Sequence, residues 1–358
     1  MSNKKDPYML DSNKLLWHMD RVHAWERGER IAPILIDIGA TKICNIRCKY
    51  CYGIYQKFEK GTYIQGHTLI QLFKDAPKLG VRALTLTGDG EPTLNPCVYD
   101  ACIAGYEGGL DIGIATNGVK LNEEKITTLV DTCKWIRFNL SAASQESYKD
   151  MHGVDQYFTV VRNIADAVRI KRDLKSDVTI GVQMVLVPDC LDQVVPLAKL
   201  SNQLGVDYCV IKQFSDPGAD IPCGGYDFKE FYKKAEPVLK EAEKLSSDKT
   251  MVKVKWDIMG LNNERAYSRC IDLPFIFQIS GNGKCYPCGY LFNNDEYCYG
   301  DLHEQSLGEI IKSDKYWGII DKISKMDTKD LCSGCCRHDS TNQWLTKYMD
   351  KPRHINFI

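Results

Sequence analysis

The sequence predicts an α/β protein in which a partial (β/α)6 barrel precedes a small C-terminal domain. Two observations carry this prediction. Short apolar runs alternate with longer amphipathic ones from residue 34 to about 212, and this alternation favours parallel strands joined by right-handed helical crossovers, in a barrel or an open sheet. From about residue 260 the rhythm changes, and seven cysteines fall between 270 and 336.

Six apolar runs are the predicted strands, fewer than the eight of a complete barrel. They lie at 34–39, 83–87, 111–116, 135–140, 178–187 and 208–212. In folds of this kind, functional sites lie at the C-terminal ends of the strands. The residues that follow each run are therefore the first candidates for a site.

Amphipathic segments between the strands are the predicted helices. They lie at 67–79, 95–107, 122–133, 157–174 and 191–204, and a charged helix interrupted by a proline follows at 227–245. We expect four regions: an N-terminal helical extension (1–33), a partial barrel (34–225), a linker helix and strand (226–263), and a C-terminal domain stapled by metal (264–358).

Composition argues against several classes of protein, although a local basic patch stays compatible with it. The 358 residues carry a formal net charge of −1, which gives no bulk attraction to nucleic acid or anionic membrane. The sequence has neither a secretory signal nor an apolar run of about 18 residues, so a cytoplasmic protein without a membrane segment is expected. In a reducing compartment, clusters among the 16 cysteines indicate metal or redox chemistry rather than disulfides.

Three cysteines follow the first strand, with gaps of three and two residues: Cys44, Cys48 and Cys51. A cubane [4Fe–4S] cluster has four iron corners, and three thiolates leave one corner open for chemistry. The alternatives are chance spacing and a structural zinc site. Zinc fits poorly, because no fourth ligand lies nearby in the sequence.

A Gly-rich turn, TGDGEPT at 87–93, follows the second strand. Its glycines allow the backbone to approach a ligand closely, and Glu91 can accept a hydrogen bond from an ammonium group. The CxxxCxxC spacing with an aromatic residue before its third cysteine, followed one strand later by GDGEP in place of the plain GGE, resembles the radical S-adenosylmethionine (SAM) superfamily.

That resemblance implies a chemistry and a set of binding residues. The open iron would chelate SAM, and an electron from an external donor of the flavodoxin or ferredoxin type would split it to give a 5′-deoxyadenosyl radical, which abstracts hydrogen from the substrate. Tyr50 would lie near the adenine. The other implied SAM-binding residues are Gly88, Asp89, Gly90, Glu91, Thr116, Asn117, Asn139 and Ser141.

The C-terminal cysteines allow three interpretations. A zinc site could use Cys285/Cys288 and Cys332/Cys335, although 43 residues separate these pairs, against about 15–20 in short zinc ribbons. The preferred interpretation is one auxiliary [4Fe–4S] cluster with four cysteine ligands. The spacing of these cysteines resembles that of the twitch domain of 2-deoxy-scyllo-inosamine dehydrogenase. The ligands of the cluster would be Cys270, Cys285, Cys332 and Cys335.

The third interpretation is a SPASM domain with two auxiliary clusters, whose pattern continues with further cysteines, whereas none follows Cys336 here. The choice between Cys285 and Cys288 as a ligand stays open. No general base is identified.

A radical SAM oxidoreductase that oxidises an alcohol of a small, carbohydrate-like substrate is the first functional hypothesis, with the auxiliary cluster as electron acceptor. A peptide-modifying maturase is the second, and epimerisation, dehydration or decarboxylation are open. An iron–sulfur or zinc protein acting only as an electron carrier or interaction module is a different class, which would need no SAM pocket.

Overall fold

The computed structural model describes residues 6–10, 13–51, 53, 61–215, 226–259, 265–332 and 336–357. Ten strands are present in this part of the chain. They are β1 (Leu35–Ile38), β2 (Ala83–Leu86), β3 (Asp111–Thr116), β4 (Trp135–Asn139), β5 (Thr179–Leu186), β6 (Tyr208–Gln213), β7 (Met251–Val254), β8 (Ile276–Ile279), β9 (Lys284–Tyr286) and β10 (Gly300–Asp301).

Twelve α-helices accompany the strands in the same described ranges. They are α1 (Met19–Glu26), α2 (Gly66–Asp75), α3 (Val98–Glu107), α4 (Glu123–Thr132), α5 (Gln145–His152), α6 (Tyr157–Leu174), α7 (Val194–Leu204), α8 (Phe228–Glu243), α9 (Leu307–Lys312), α10 (Asp314–Ser324), α11 (Thr328–Leu331) and α12 (Asp339–Met349). None of these helices is long and apolar enough to cross a membrane.

All ten strands form one sheet, in the order β10-β9-β8-β1-β2-β3-β4-β5-β6-β7. Strands β1 to β7 pair in parallel with their sequence neighbours. Strand β1 pairs with β2 along one edge and, also in parallel, with β8 along its other edge. The hairpin of β9 and β10 continues the sheet antiparallel from β8. The predicted α/β fold with a partial parallel barrel is confirmed.

The strand interiors show why the apolar runs are informative. In β5 seven of the eight residues are buried, as expected for a parallel strand covered on both faces. The one partly exposed residue is Thr179, where the strand begins. Each of the six predicted runs contains a strand of the sheet.

Two elements differ from the sequence prediction. The predicted linker strand is β7, which pairs with β6, so the segment after the charged helix belongs to the sheet. Helix α5 was not predicted, because only three of its eight residues are buried: Tyr148, Met151 and His152. Its apolar period is too short to be recognised in the sequence.

A second, small core joins the two ends of the chain. Val22 of α1 packs in one buried cluster with Phe275, just before β8, and Leu345 of α12. Trp25 meets Phe275 edge-on, with ring centroids 5.5 Å apart. The N-terminal helix therefore packs beside the C-terminal domain.

Candidate functional site

The sheet carries one large cavity at the C-terminal ends of its parallel strands. Its volume is about 730 Å³, within the 300–1,000 Å³ of small-molecule sites. Residues from the turns after β1, β2 and β3 line it together with both cysteine groups. The cysteines in its wall are Cys44, Cys48, Cys51, Cys270, Cys288, Cys332 and Cys336.

The loop that carries the first cysteine group docks on the C-terminal end of α5. The backbone N–H groups of Arg47 and Lys49 donate to the carbonyls of His152 (2.9 Å) and Met151 (3.0 Å). Helix ends leave carbonyls without helical partners, and here the cysteine loop supplies the donors. Gly153 follows with φ +71°, and a Cβ there would lie 2.9 Å from the Arg47 carbonyl oxygen, so this junction favours glycine.

His152 reaches from α5 to the cysteine loop. Its Nδ1 lies 3.1 Å from the Cys48 sulfur, and its Nε2 accepts a hydrogen bond from the Ser141 N–H at 3.1 Å. The imidazole stacks on the Tyr148 ring at a centroid distance of 4.4 Å. Burial lowers the pKa of His152 to about 3, so the ring is neutral at physiological pH. The sequence reasoning missed this residue together with its helix.

Tyr50 lies on the cavity wall, but its hydroxyl is held on the protein side. It accepts a hydrogen bond from the Ser141 hydroxyl at 2.9 Å and is also hydrogen-bonded to the Cys48 thiol. The Ser141 oxygen in turn accepts from the Val185 N–H at 3.0 Å. Ser141 is fully buried and lies behind the cavity wall, so the structure gives it a supporting position rather than the SAM contact that the resemblance implied.

Glu91 is buried at the end of the GDGEP turn and accepts hydrogen bonds on both carboxylate oxygens. The donors are the Thr93 N–H (3.2 Å) and hydroxyl (2.7 Å), the Thr116 hydroxyl (2.6 Å) and the Asn117 N–H (2.7 Å). Burial raises the pKa of Glu91, and these donors oppose the rise. The carboxylate ties the turn after β2 to the end of β3, and Thr116, like Ser141, lies behind the wall.

Asp89, in the same turn, links the barrel to the C-terminal domain. Its carboxylate accepts from the Ser280 hydroxyl (2.8 Å) and the Gly281 N–H (2.9 Å). Burial raises the pKa of Asp89, and these donors oppose the rise. Gly88 faces Gly39 so closely that a Cβ on Gly88 would overlap the neighbouring backbone. Gly88 therefore allows the turn after β2 to pack closely against the end of β1.

Two asparagines at strand ends line the cavity, Asn117 and Asn139. The Asn117 side-chain amide donates to Asn45 Oδ1 at 2.8 Å and lies 3.9 Å from the Cys44 sulfur. Asn139 Oδ1 accepts from the Gln183 amide at 3.0 Å. Gly90 also lies in the wall, beside the carbonyls that precede Cys44.

The second cysteine group differs from the predicted ligand set. Electrostatic contacts link Cys270 to Cys288, Cys332 and Cys336, and all four face the cavity. Cys285 lies elsewhere: its sulfur is buried against the Gly283 carbonyl at 3.8 Å and interacts with Cys298. On β9, successive side chains point to opposite faces, which separates Cys285 from the cavity.

Cys335, the remaining predicted ligand, lies outside the described residues. The geometry therefore favours Cys288 over Cys285, the choice that the sequence left open.

A buried polar network supports the second cysteine group. Asn342 of α12 accepts from the Ile271 N–H at 2.6 Å and donates to Asp272 Oδ1 at 2.8 Å. The other Asp272 oxygen lies 2.9 Å from His338 Nδ1, and Gln278 lies 3.2 Å from His338 Nε2. These groups hold the segment after Cys270 against α12. No periodic pattern in the sequence marks them.

Charged side chains form part of the cavity wall. Arg137 of β4 extends over the Trp135 ring at 5.1 Å and reaches the cavity, as do Lys212 and Lys255. From the C-terminal domain, Arg337 forms an ion pair with Asp37 of β1. The cavity wall therefore combines charged side chains with apolar ones such as Ile38 and Leu273.

The cysteine groups fit iron–sulfur clusters better than single ions. Within the described ranges, no set of three His, Cys, Asp or Glu side chains converges closely enough to hold one metal ion. Cys44, Cys48 and Cys51 interact electrostatically with one another, and three thiolates suit a cubane with one free corner. Burial raises the pKa of the Cys44 thiol to about 11, so binding of a cluster displaces protons.

Comparisons with known proteins identify two domains in this chain. Residues 38–196 match the radical SAM superfamily, and residues 270–336 match SPASM, an iron–sulfur cluster-binding domain. The tungsten-containing aldehyde ferredoxin oxidoreductase cofactor-modifying protein of Pyrococcus furiosus is 23% identical over 334 residues, covering 87% of this chain and 89% of the relative.

Solved structures share the fold. Streptococcus suis SuiB bound to S-adenosylmethionine superposes with a TM-score of 0.66 at 15% identity, covering 90% of this chain and 78% of SuiB. A structure of anSMEcpe with bound AdoMet has a TM-score of 0.60 at 18% identity, covering 86% and 90% of the two chains. The domain pair supports a SAM-binding [4Fe–4S] cluster, SAM and an auxiliary cluster as cofactors.

Proposed function

We propose that this chain is a radical SAM enzyme that oxidises an alcohol on a small, polar, carbohydrate-like molecule. Residues 38–196 match the radical SAM superfamily and residues 270–336 match SPASM, which supports the first part of this proposal. The single observation that carries the proposal is that both cysteine groups face one cavity of about 730 Å³. A substrate placed between them would lie within reach of both centres. Such a molecule can lose a hydrogen atom from carbon to the 5′-deoxyadenosyl radical, one electron to the auxiliary cluster and its hydroxyl proton to water, which leaves a ketone.

The bound groups would supply the redox chemistry: SAM on the first cluster gives a 5′-deoxyadenosyl radical, and the auxiliary cluster accepts one electron. Cys44, Cys48 and Cys51 would hold the first cluster. Cys270, Cys288 and Cys332 would hold the auxiliary cluster, with Cys336 or Cys335 as the fourth ligand. The shortened twitch form of this domain is part of the proposal.

The protein's own side chains would bind and orient the substrate. Arg137, Lys212 and Lys255 supply hydrogen-bond donors to the cavity, and Asp257 supplies an acceptor. Donors and acceptors together suit hydroxyl groups, which use both. The predicted SAM-binding residues that line the same cavity remain the proposed SAM contacts: Tyr50, Gly88, Asp89, Gly90, Glu91, Asn117 and Asn139.

A peptide is the second candidate substrate. SuiB has been crystallised bound to the precursor peptide SuiA and superposes on this chain with a TM-score of 0.65 at 14% identity. Barrel and C-terminal residues together form the wall of the cavity. Its volume of about 730 Å³ can hold one side chain of a peptide as well as a free small molecule. We favour the small molecule because the cavity wall includes Arg137, Lys212 and Lys255 beside Asp257, and such a combination of donors and acceptors suits a polyhydroxylated molecule.

Anaerobic assays test the proposal in two stages. Reduced holo-protein with SAM should form 5′-deoxyadenosine, and the triple variant Cys44→Ala/Cys48→Ala/Cys51→Ala should form none. Holo-protein is then incubated with perdeuterated sugars and cyclitols, or with deuterated peptides. Transfer of deuterium into 5′-deoxyadenosine only from the first set, with a ketone formed, supports the proposal. Transfer only from peptides contradicts it.

A further inference from the structure

The imidazole of His152 has its tautomer fixed by the backbone. The Ser141 N–H points at Nε2 from 3.1 Å, and a backbone N–H can only donate. Nε2 must therefore be the acceptor, and in the neutral ring the proton is on Nδ1. Nδ1 lies 3.1 Å from the Cys48 sulfur, so the ring donates N–H to that sulfur.

Ser141 orients a second donor to the same atom. Its hydroxyl accepts from the Val185 N–H, which leaves its own proton to donate to the Tyr50 oxygen at 2.9 Å. The proton of the Tyr50 hydroxyl is then free to point at its other hydrogen-bond partner, the Cys48 thiol. One residue of the turn after β4 thus directs two donors at one cysteine.

Packing holds the imidazole in this orientation. Its ring stacks on Tyr148 at 4.4 Å and meets the Tyr50 ring edge-on at 5.9 Å. His152 is fully buried, and burying a polar ring is unfavourable unless both nitrogens are paired. Both nitrogens are paired here, so the hydrogen bond to the sulfur is needed to keep the buried ring satisfied.

We infer that His152 is a positioning residue that raises the reduction potential of the cluster held by Cys48, an inference that rests on the proposed function. Hydrogen bonds to ligand sulfurs tune the potentials of iron–sulfur clusters. Reduction adds one negative charge to a cluster, and an N–H aimed at its sulfur stabilises the reduced state more than the oxidised one. Of the three cysteines in the loop, Cys48 is the one that His152 contacts.

A redox titration of SAM-free holo-protein, followed by electron paramagnetic resonance, tests this inference. His152→Phe keeps the stacked ring but removes the donor. At a fixed potential we expect its ratio of reduced to oxidised site cluster to fall about tenfold, which is about 59 mV for a one-electron couple. His152→Asn places an amide N–H at the position of Nδ1 and should restore most of the ratio.

The auxiliary cluster of the same sample is the internal reference and should keep its potential. If the reduction potential of the cluster held by Cys44, Cys48 and Cys51 is unchanged in His152→Phe, the inference is overturned. It is also overturned if this potential falls as far in His152→Asn as in His152→Phe. A wild-type protein that shows no reducible cluster at Cys44, Cys48 and Cys51 instead overturns the proposed function. The two failures are therefore distinguishable.

A second measurement tests the contact without replacing His152. In wild-type protein labelled with [15N]histidine, electron–nuclear double resonance should detect one histidine nitrogen coupled to the reduced site cluster. The coupling should persist in His338→Phe, which removes the other buried histidine described beside a cysteine. Absence of the coupling in wild-type protein, or its loss in His338→Phe, overturns the inference.

Discussion

The carboxylate of Asp89 accepts a hydrogen bond from the Ser280 hydroxyl at 2.8 Å. These residues lie in the turns after β2 and β8, so the bond joins the barrel to the C-terminal domain. In Asp89→Ala, the Ser280 hydroxyl and the Gly281 N–H lose a buried acceptor, and we expect a loss of about 3 kcal/mol in unfolding free energy. Urea denaturation of the anaerobic holo-protein measures it.

Ser280→Ala is the graded control for this contact. It removes one donor and leaves the Asp89 carboxylate with the Gly281 N–H, so we expect a loss of about 1 kcal/mol. Equal urea midpoints for the wild type and Asp89→Ala would show that the two turns are not coupled through this carboxylate.

The Glu91 carboxylate faces four donors, so an amide in its place should be tolerated poorly. In Glu91→Gln, the new NH2 group points at a donor such as the Asn117 N–H, and we expect a loss of about 2 kcal/mol in stability. The strand end beside SAM would shift, so SAM binding should weaken about tenfold in equilibrium dialysis. Thr93→Val, which removes the Thr93 hydroxyl, should change SAM binding less. Equal affinity in Glu91→Gln and the wild type would contradict this expectation.

Cys288 and Cys285 form a matched pair for the auxiliary cluster. Because Cys288 faces the cavity and Cys285 does not, Cys288→Ala should reduce the iron content from about eight to about four atoms per chain. Cys285→Ala should keep about eight. Iron and sulfide quantitation of anaerobically purified proteins measures both, and the reverse pattern would assign the ligand to Cys285.

The Asn342 side chain bridges α12 to the segment after Cys270. Asn342→Ala removes its hydrogen bonds to the Ile271 N–H and to Asp272, and we expect a loss of about 2–3 kcal/mol. Lys347→Ala, an exposed position on the same helix, should change stability by less than about 0.5 kcal/mol. Urea midpoints compare the two variants, and equal midpoints would mean that the network does not stabilise this segment.

Much of the fold was predictable because parallel strands buried on both faces leave continuous apolar runs. The six runs from 34–39 to 208–212 all contain strands, and the turns after them carry Cys44 and Glu91 as expected. Helix α5 was not predictable in the same way, since it is short and largely exposed. Its importance lies in its C-terminal carbonyls and in His152, which act on a loop about 100 residues earlier in the chain.

The details of the site depended on three-dimensional neighbours that spacing does not reveal. The sequence pattern assigned Ser141 and Thr116 to SAM, but the structure turns their hydroxyls toward Tyr50 and Glu91. The choice between Cys285 and Cys288 depends on which face of the β9 hairpin meets the cavity. A gap of two residues gives no information about that face.

Strand β1 has partners on both sides, β2 from the barrel and β8 from the C-terminal domain. Neighbouring strands lie about 4.8 Å apart, so the distance between the two proposed redox centres is set by main-chain pairing. Lengthening the connection between residues 259 and 265 should leave the rate of electron transfer between the centres unchanged. A protease that cuts this connection should yield two fragments that remain associated and migrate together under native conditions.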